Sequence, residues 1–190
     1  TRSTCRADVR FEKWHALGNA YLVIERPGDG ALDPARVRRL CDAARGIGSD
    51  GVLEVVSRAG AEAEVVIWNP DGSIAEMSGN GTRIAALWLA GEVDRHELTI
   101  ITSGRRLHAR VVAPGEAALD VGHVKVGEPE NLALAGGEVV HVIPVSVGNP
   151  HAVVRLAGPS REDLLRLGPV LETHPRFPDR TNVQLVEPVG

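Results

Sequence analysis

Within residues 65–91, VVIWNPDGSIAEMSGNGTRIAALWLAG, a β-rich apolar run passes through a turn into a glycine-rich loop and then an apolar helix. Few folds accommodate that order, because a helix with almost no polar face must be covered on all sides. Ala63 to Trp68 is the strand. Asn69-Pro70-Asp71-Gly72 reverses the chain, with Pro fixing φ and Gly accepting a positive φ. Ser78-Gly79-Asn80-Gly81 then supplies capping side chains and glycines that let backbone N–H groups approach a ligand, ahead of a helix from Gly81 to Ala90 with Gly91 as its C-cap. Free N–H donors and a positive dipole at the helix start favour a carboxylate or phosphate, and Ser78 stands at the mouth of that site as a candidate acid/base residue. From local chemistry alone, an ordinary glycine-rich entry into a core helix reads equally well.

Composition excludes several alternatives. The 190 residues are 43% hydrophobic with a formal charge of -4, as for a soluble globular protein of one or two small domains. The 21 Lys and Arg are scattered and offset by 25 Asp and Glu, so no basic stripe for nucleic acid arises. No apolar run is long enough to span a membrane, and the polar start TRSTCRADVR does not read as a secretory signal, so a cytoplasmic protein without membrane contact is expected. Cys5 falls in the N-terminal tail and Cys41 on a helix face, which argues against a disulfide or a shared metal. The seven histidines lack ligand spacing, so no metal site is expected.

Along the chain, antiparallel strands with a few helices are expected. Arg10 to Trp14 and Tyr21 to Glu25 flank a Leu17-Gly18-Asn19 turn. Asp33-Pro34 opens a helix whose Val37, Leu40, Cys41 and Ala44 share a face until Gly46. Strands follow at Val52–Val56, 98–102 and 106–113, the last two joined at Ser103-Gly104. The second half repeats the plan with strands 117–121, 139–147 and 152–156, a helix over 160–167 capped by Ser160 with Asp163, and a strand over 182–187. Pro114-Gly115-Glu116 and 128–137 are the linker candidates. Gly46-Ile47-Gly48-Ser49-Asp50-Gly51 matches G-x-G-x-x-G, but it follows a helix and opens a strand, the reverse of a dinucleotide site.

Five ordered segments carry a family resemblance. NPDGSIAEMSGNGTR (69–83) resembles the first active-site motif of diaminopimelate epimerase, with Ser78 at the position of a cysteine. FEKWHALGNAYLV (11–23), GIGSDGVL (46–53), SVGNPHAVV (146–154) and LGPVLETHPRFPDRTNV (167–183) are similar to further motifs, in the family's order.

The resemblance implies an α+β, diaminopimelate-epimerase-like fold of two antiparallel barrel-like lobes, each around a central helix, with boundaries at 8–118 and 119–190. It implies interconversion of LL- and meso-diaminopimelate by two-base α-proton transfer without a cofactor, in lysine and peptidoglycan precursor synthesis, by a homodimer. Ser78 and His151 take the catalytic positions. Asn19, Asn69, Gly79, Asn80, Asn149 and Asn182 take substrate-binding positions. Two departures stand out: a serine hydroxyl cannot rest as an anion near neutral pH as a thiol can, and the family's second catalytic cysteine motif has no counterpart within these residues, so the second lobe is expected to be incomplete. A related racemase, epimerase or dehydratase with a serine site, and a catalytically silent binding protein, remain as alternatives.

Overall fold

A computed structural model describes residues 10–26 and 30–188; Cys5 lies outside them. The chain forms two compact units, residues 1–120 and 121–190.

The first unit is a single seven-stranded sheet in sequence order: β1 (Glu12–Ala16), β2 (Asn19–Glu25), β3 (Gly51–Ala59), β4 (Glu62–Trp68), β5 (Glu97–Thr102), β6 (Arg105–Ala113) and β7 (Glu116–Asp120). Helix α1 (Pro34–Cys41) joins β2 to β3, and α2 (Gly79–Val93) joins β4 to β5. Both helix-joined pairs are parallel, whereas the turn-joined pairs are antiparallel. The sheet is therefore mixed rather than antiparallel throughout, because a crossover helix returns the chain to the end from which it started.

The sheet curls around α2, which contacts β1, β2, β4, β5, β6 and β7. None of residues 81–90 is exposed, and Ile84, Ala85, Ala86, Trp88 and Leu89 join Val23, Leu53, Val55, Val65, Ile67 and Ile100 in the main core. On the other face of β2 and β3, Val37 and Cys41 of α1 pack with Leu22, Ile24, Val52 and Trp68. These two strands are thus covered on both faces, which explains the unbroken apolar run of residues 20–24 and the run of β3 interrupted only by Glu54. One charge sits in that outer layer: the fully buried Glu54 carboxylate accepts from Arg26 Nε (2.9 Å), the Leu32 N–H (3.0 Å) and Trp68 Nε1 (3.0 Å).

Local chemistry accounts for most boundaries. Asp33 caps α1 by accepting from the Arg36 N–H at 2.9 Å, with Pro34 at the first position. The helix stops at Cys41, earlier than Gly46, because the Asp42 carboxylate accepts from the Ala44 and Arg45 N–H groups and folds a separate turn. Gly91 is not the C-cap of α2: the helix runs on to Val93, and Asp94 takes the left-handed conformation with φ 51°. Pro114-Gly115 makes the β6–β7 hairpin rather than a linker, so β7 completes the first sheet instead of opening the second half.

In the second unit β10 (Val139–Ser146) and β11 (Pro150–Arg155) form an antiparallel pair, and α3 (Arg161–Glu172) returns the chain to β12 (Asn182–Val186), parallel to β11. Strands β8 (Lys125–Val126) and β9 (Glu130–Ala133) pair with successive stretches of β10, so residues 128–137 hold a strand and a turn rather than a linker. Leu167 and Leu171, four apart on α3, pack with Val140, Val142, Ala152, Val154 and Phe177. Ser160 and Asp163 form a reciprocal capping box. The helix continues past Leu167 through Pro169, which lies on its exposed side with Leu165, the residue whose carbonyl loses a partner.

Candidate active site

Sheet register assembles one end of the first unit. Pairing of Tyr21 with Gly51 and of Val52 with Trp68 sets the start of β2, the start of β3 and the end of β4 side by side. Asn19 opens β2, and Asn69 follows β4 at the same end. The Ala20 N–H donates to Asp50 at 2.7 Å and the Asp50 N–H to the Ala20 carbonyl at 2.7 Å, fixing the loop before β3 to this edge.

Ser78 sits there as the N-cap of α2. Its extended backbone (φ -133°, ψ 114°) aims the side chain back at the helix, and Oγ accepts from the Gly81 N–H at 3.0 Å. The Thr82 N–H donates to the Ser78 carbonyl at 2.8 Å. The N–H groups of Gly79 and Asn80 are left without an acceptor among the described residues, the geometry expected of an anion site. Gly81 allows this close cap, since a Cβ there would lie 3.1 Å from Leu53 Cδ2 and 3.2 Å from Ser78 Oγ. Asn80 Oδ1 accepts from Arg83 Nη2, which anchors the first turn. Arg83 also lines a cleft of about 490 Å³ with His15, Ile84, Leu87 and Glu116.

Tyr21 is the residue that sequence reasoning missed. Its hydroxyl lies 3.0 Å from Ser78 Oγ, across 57 positions of sequence. The phenol is 7% exposed. Its ring passes over Gly51, where a Cβ would stand 2.7 Å from Tyr21 Cε1 and 2.5 Å from the Trp68 carbonyl oxygen. The signal was Gly51 itself, an invitation to close packing hidden in a motif rejected for nucleotide binding.

Asn69 is engaged in the turn that follows it: Nδ2 donates to Ser73 Oγ at 2.9 Å, its N–H to the Ser73 carbonyl, and its carbonyl accepts from the Gly72 N–H. The Asp71 carboxyl in the same turn is held below the usual carboxylate range by hydrogen bonds from the Ser73 hydroxyl and N–H. Burial pushes the Cys41 thiol up, with the Ser49 hydroxyl opposing at 3.3 Å; this describes an inert core thiol rather than a nucleophile.

The second unit brings its three singled-out residues together at the start of β11. His151 Nε2 lies 3.1 Å from Asn149 Oδ1, His151 is the register partner of Asn182, and Asn182 Nδ2 donates to the Pro150 carbonyl at 3.2 Å. Among the described residues no group of three or more His, Cys, Asp and Glu is placed to hold a metal, and no helix is long and apolar enough to cross a membrane.

Comparison with known proteins agrees with this geometry. The diaminopimelate epimerase family profile matches residues 11–130. A diaminopimelate epimerase of Desulforudis audaxviator is 34% identical over 199 residues, covering 94% of this chain and 71% of the relative. Diaminopimelate epimerase 2 of Nostoc is 36% identical, covering 94% and 69%. Among solved structures, a probable proline racemase from Agrobacterium radiobacter shares the fold at a TM-score of 0.65 and 19% identity, over 95% of this chain and 66% of that one. A sheet curled round a helix capped by Ser78, joined to these sequence matches, shows that the chain belongs to the diaminopimelate epimerase family of isomerases.

Proposed function

We propose that this protein interconverts LL- and meso-diaminopimelate by cofactor-independent α-proton transfer, with Ser78 as the acid/base group on one face of the α-carbon. The observation that carries the reading is the N-terminus of α2, where Ser78 Oγ and the N–H groups of Gly79 and Asn80 come together. An α-carboxylate seated on those N–H groups gains charge-assisted hydrogen bonds that strengthen as the carbanion develops. The acid/base group of the opposite face is a thiol in the family. The assay is run on the full-length protein.

The same reading gives Asn19, Asn69, Asn149 and Asn182 to substrate binding and His151 to support of the proton transfer; their match to family motifs supports it. For Asn69 the free Oδ1 is the group left to meet substrate. A place in lysine and peptidoglycan precursor synthesis, in the cytoplasm and as a homodimer, follows from the family alone.

The test is incubation of each isomer in D2O, followed by mass and chirality analysis. Deuterium at the α-carbon together with inversion is the expected result, with the inversion abolished by Ser78→Ala. Absence of both with either isomer refutes the proposal. One observation favours a second reading: the hydroxyl at position 78 suits proton delivery better than abstraction, as in a racemase or dehydratase adapted to another amino acid. Exchange on another amino acid but none on diaminopimelate would select it.

A further inference from the structure

We infer that Tyr21 is the positioning residue that makes the Ser78 hydroxyl a proton donor, and that it holds the proton which replaces the one Ser78 gives away. The inference rests on the proposed acid/base role of Ser78.

A serine hydroxyl has one proton and two acceptor lone pairs. One lone pair of Ser78 is taken by the Gly81 N–H at 3.0 Å. Tyr21 Oη stands at 3.0 Å and can donate or accept. If Ser78 donated to Tyr21, its only proton would be spent inside the protein. If Tyr21 donates, both lone pairs of Ser78 are filled and its proton is free to point at a substrate. Only the second arrangement is compatible with proton delivery.

The phenol is also held in place. Tyr21 is buried, pairs in register with Gly51, and lies in a space that any side chain at position 51 would fill. The sheet and the missing Cβ together fix the hydroxyl against the start of α2. A locked donor loses little conformational freedom when the reaction needs it.

After a thiolate on the opposite face has removed the α-proton, the Ser78 O–H bond breaks as the new Cα–H bond forms. The Tyr21 O–H bond breaks as a new O–H bond forms on Ser78. The negative charge of the carbanion ends on a phenolate rather than on an alkoxide; a solvent proton restores the phenol while the thiol of the opposite face returns its proton to solvent. Phenols ionise near pH 10, far below aliphatic alcohols, and that difference removes the chief objection to serine at this position.

Tyr21→Phe, made in the Ser78 protein and again in the Ser78→Cys protein, tests the inference, with inversion in D2O as the readout. In the Ser78 background, kcat should fall about 10²-fold with KM little changed, in the range of a lost proton-transfer group. In the Ser78→Cys background the fall should stay under about threefold, because a thiol exchanges its proton unaided. Retained activity there also shows that Tyr21→Phe folds. Equal losses in both backgrounds mean that Tyr21 only packs, and no loss in either means that it contributes nothing; each overturns the inference. Inversion in the Ser78 protein no greater than in Ser78→Ala instead overturns the role of Ser78 itself.

Discussion

The two long helices of this chain solve the same problem in opposite ways. Helix α2 carries almost no polar residue in its middle and is enclosed by a sheet that curls around it. Helix α3 buries only Leu167 and Leu171, and leaves Leu164, Leu165 and Val170 at the surface of its unit. The pattern of apolar residues on a helix therefore reports how far its sheet wraps. The enclosed helix is the one whose N-terminus bears the candidate acid/base group, so the element packed on all sides positions the chemistry.

Truncations should reveal the contrast most strongly. Leu89→Ala, in the enclosed helix, is expected to cost about 4 to 5 kcal/mol, since packed walls on every side cannot close the cavity. Leu171→Ala, equally buried but on a one-sided helix, should cost about 2 to 3 kcal/mol because the helix can settle onto its sheet. Equal losses in denaturant melts would break the comparison. Trp68→Phe comes next: it leaves one oxygen of the buried Glu54 unpaired, and about 1 to 3 kcal/mol should be lost in the first unit only.

Smaller effects sharpen the picture of α3. Ser160→Ala removes the capping box and should cost about 1 kcal/mol. The Asp163 carboxyl is held below its ordinary value by the Ser160 hydrogen bonds, so this cap is intact above the unfolded carboxylate pKa of about 4 and weakens as the pH falls through the lower folded value. Melting at pH 7 and at pH 3 with and without Ser160 should show a smaller difference at the lower pH. Leu165→Ala, at 66% exposure, should change stability by less than about 0.5 kcal/mol. A larger loss would mean that this flank of α3 is covered in the protein.

Much of this was legible in the sequence for a local reason. Asp33-Pro34, Ser160 with Asp163, and Asn69-Pro70-Asp71-Gly72 act within a few residues, and all behave as their chemistry dictates. The candidate site was legible as far as the Ser78-Gly79-Asn80-Gly81 cap. What escaped depends on distant partners. The parallel pairs β2–β3, β4–β5 and β11–β12 depart from the antiparallel organisation expected of the sequence, because strand periodicity carries no direction. Gly91 suits a C-cap by composition, yet the helix passes through it, a Cβ there would meet open space, and Asp94 makes the turn. Tyr21 meets Ser78 only after β2, β3 and α2 have assembled.

The parallel pairing of β11 with β12 has a kinetic consequence. Asn149, His151 and Asn182 lie within one small cluster, but the third reaches the others through a crossover that includes all of α3. Closing such a loop costs chain entropy before any contact rewards it, whereas the turn-joined β10–β11 pair needs no such step. The cluster should thus be among the last features to form during refolding. Substitutions at Asn182 should accelerate unfolding while leaving the folding rate almost untouched.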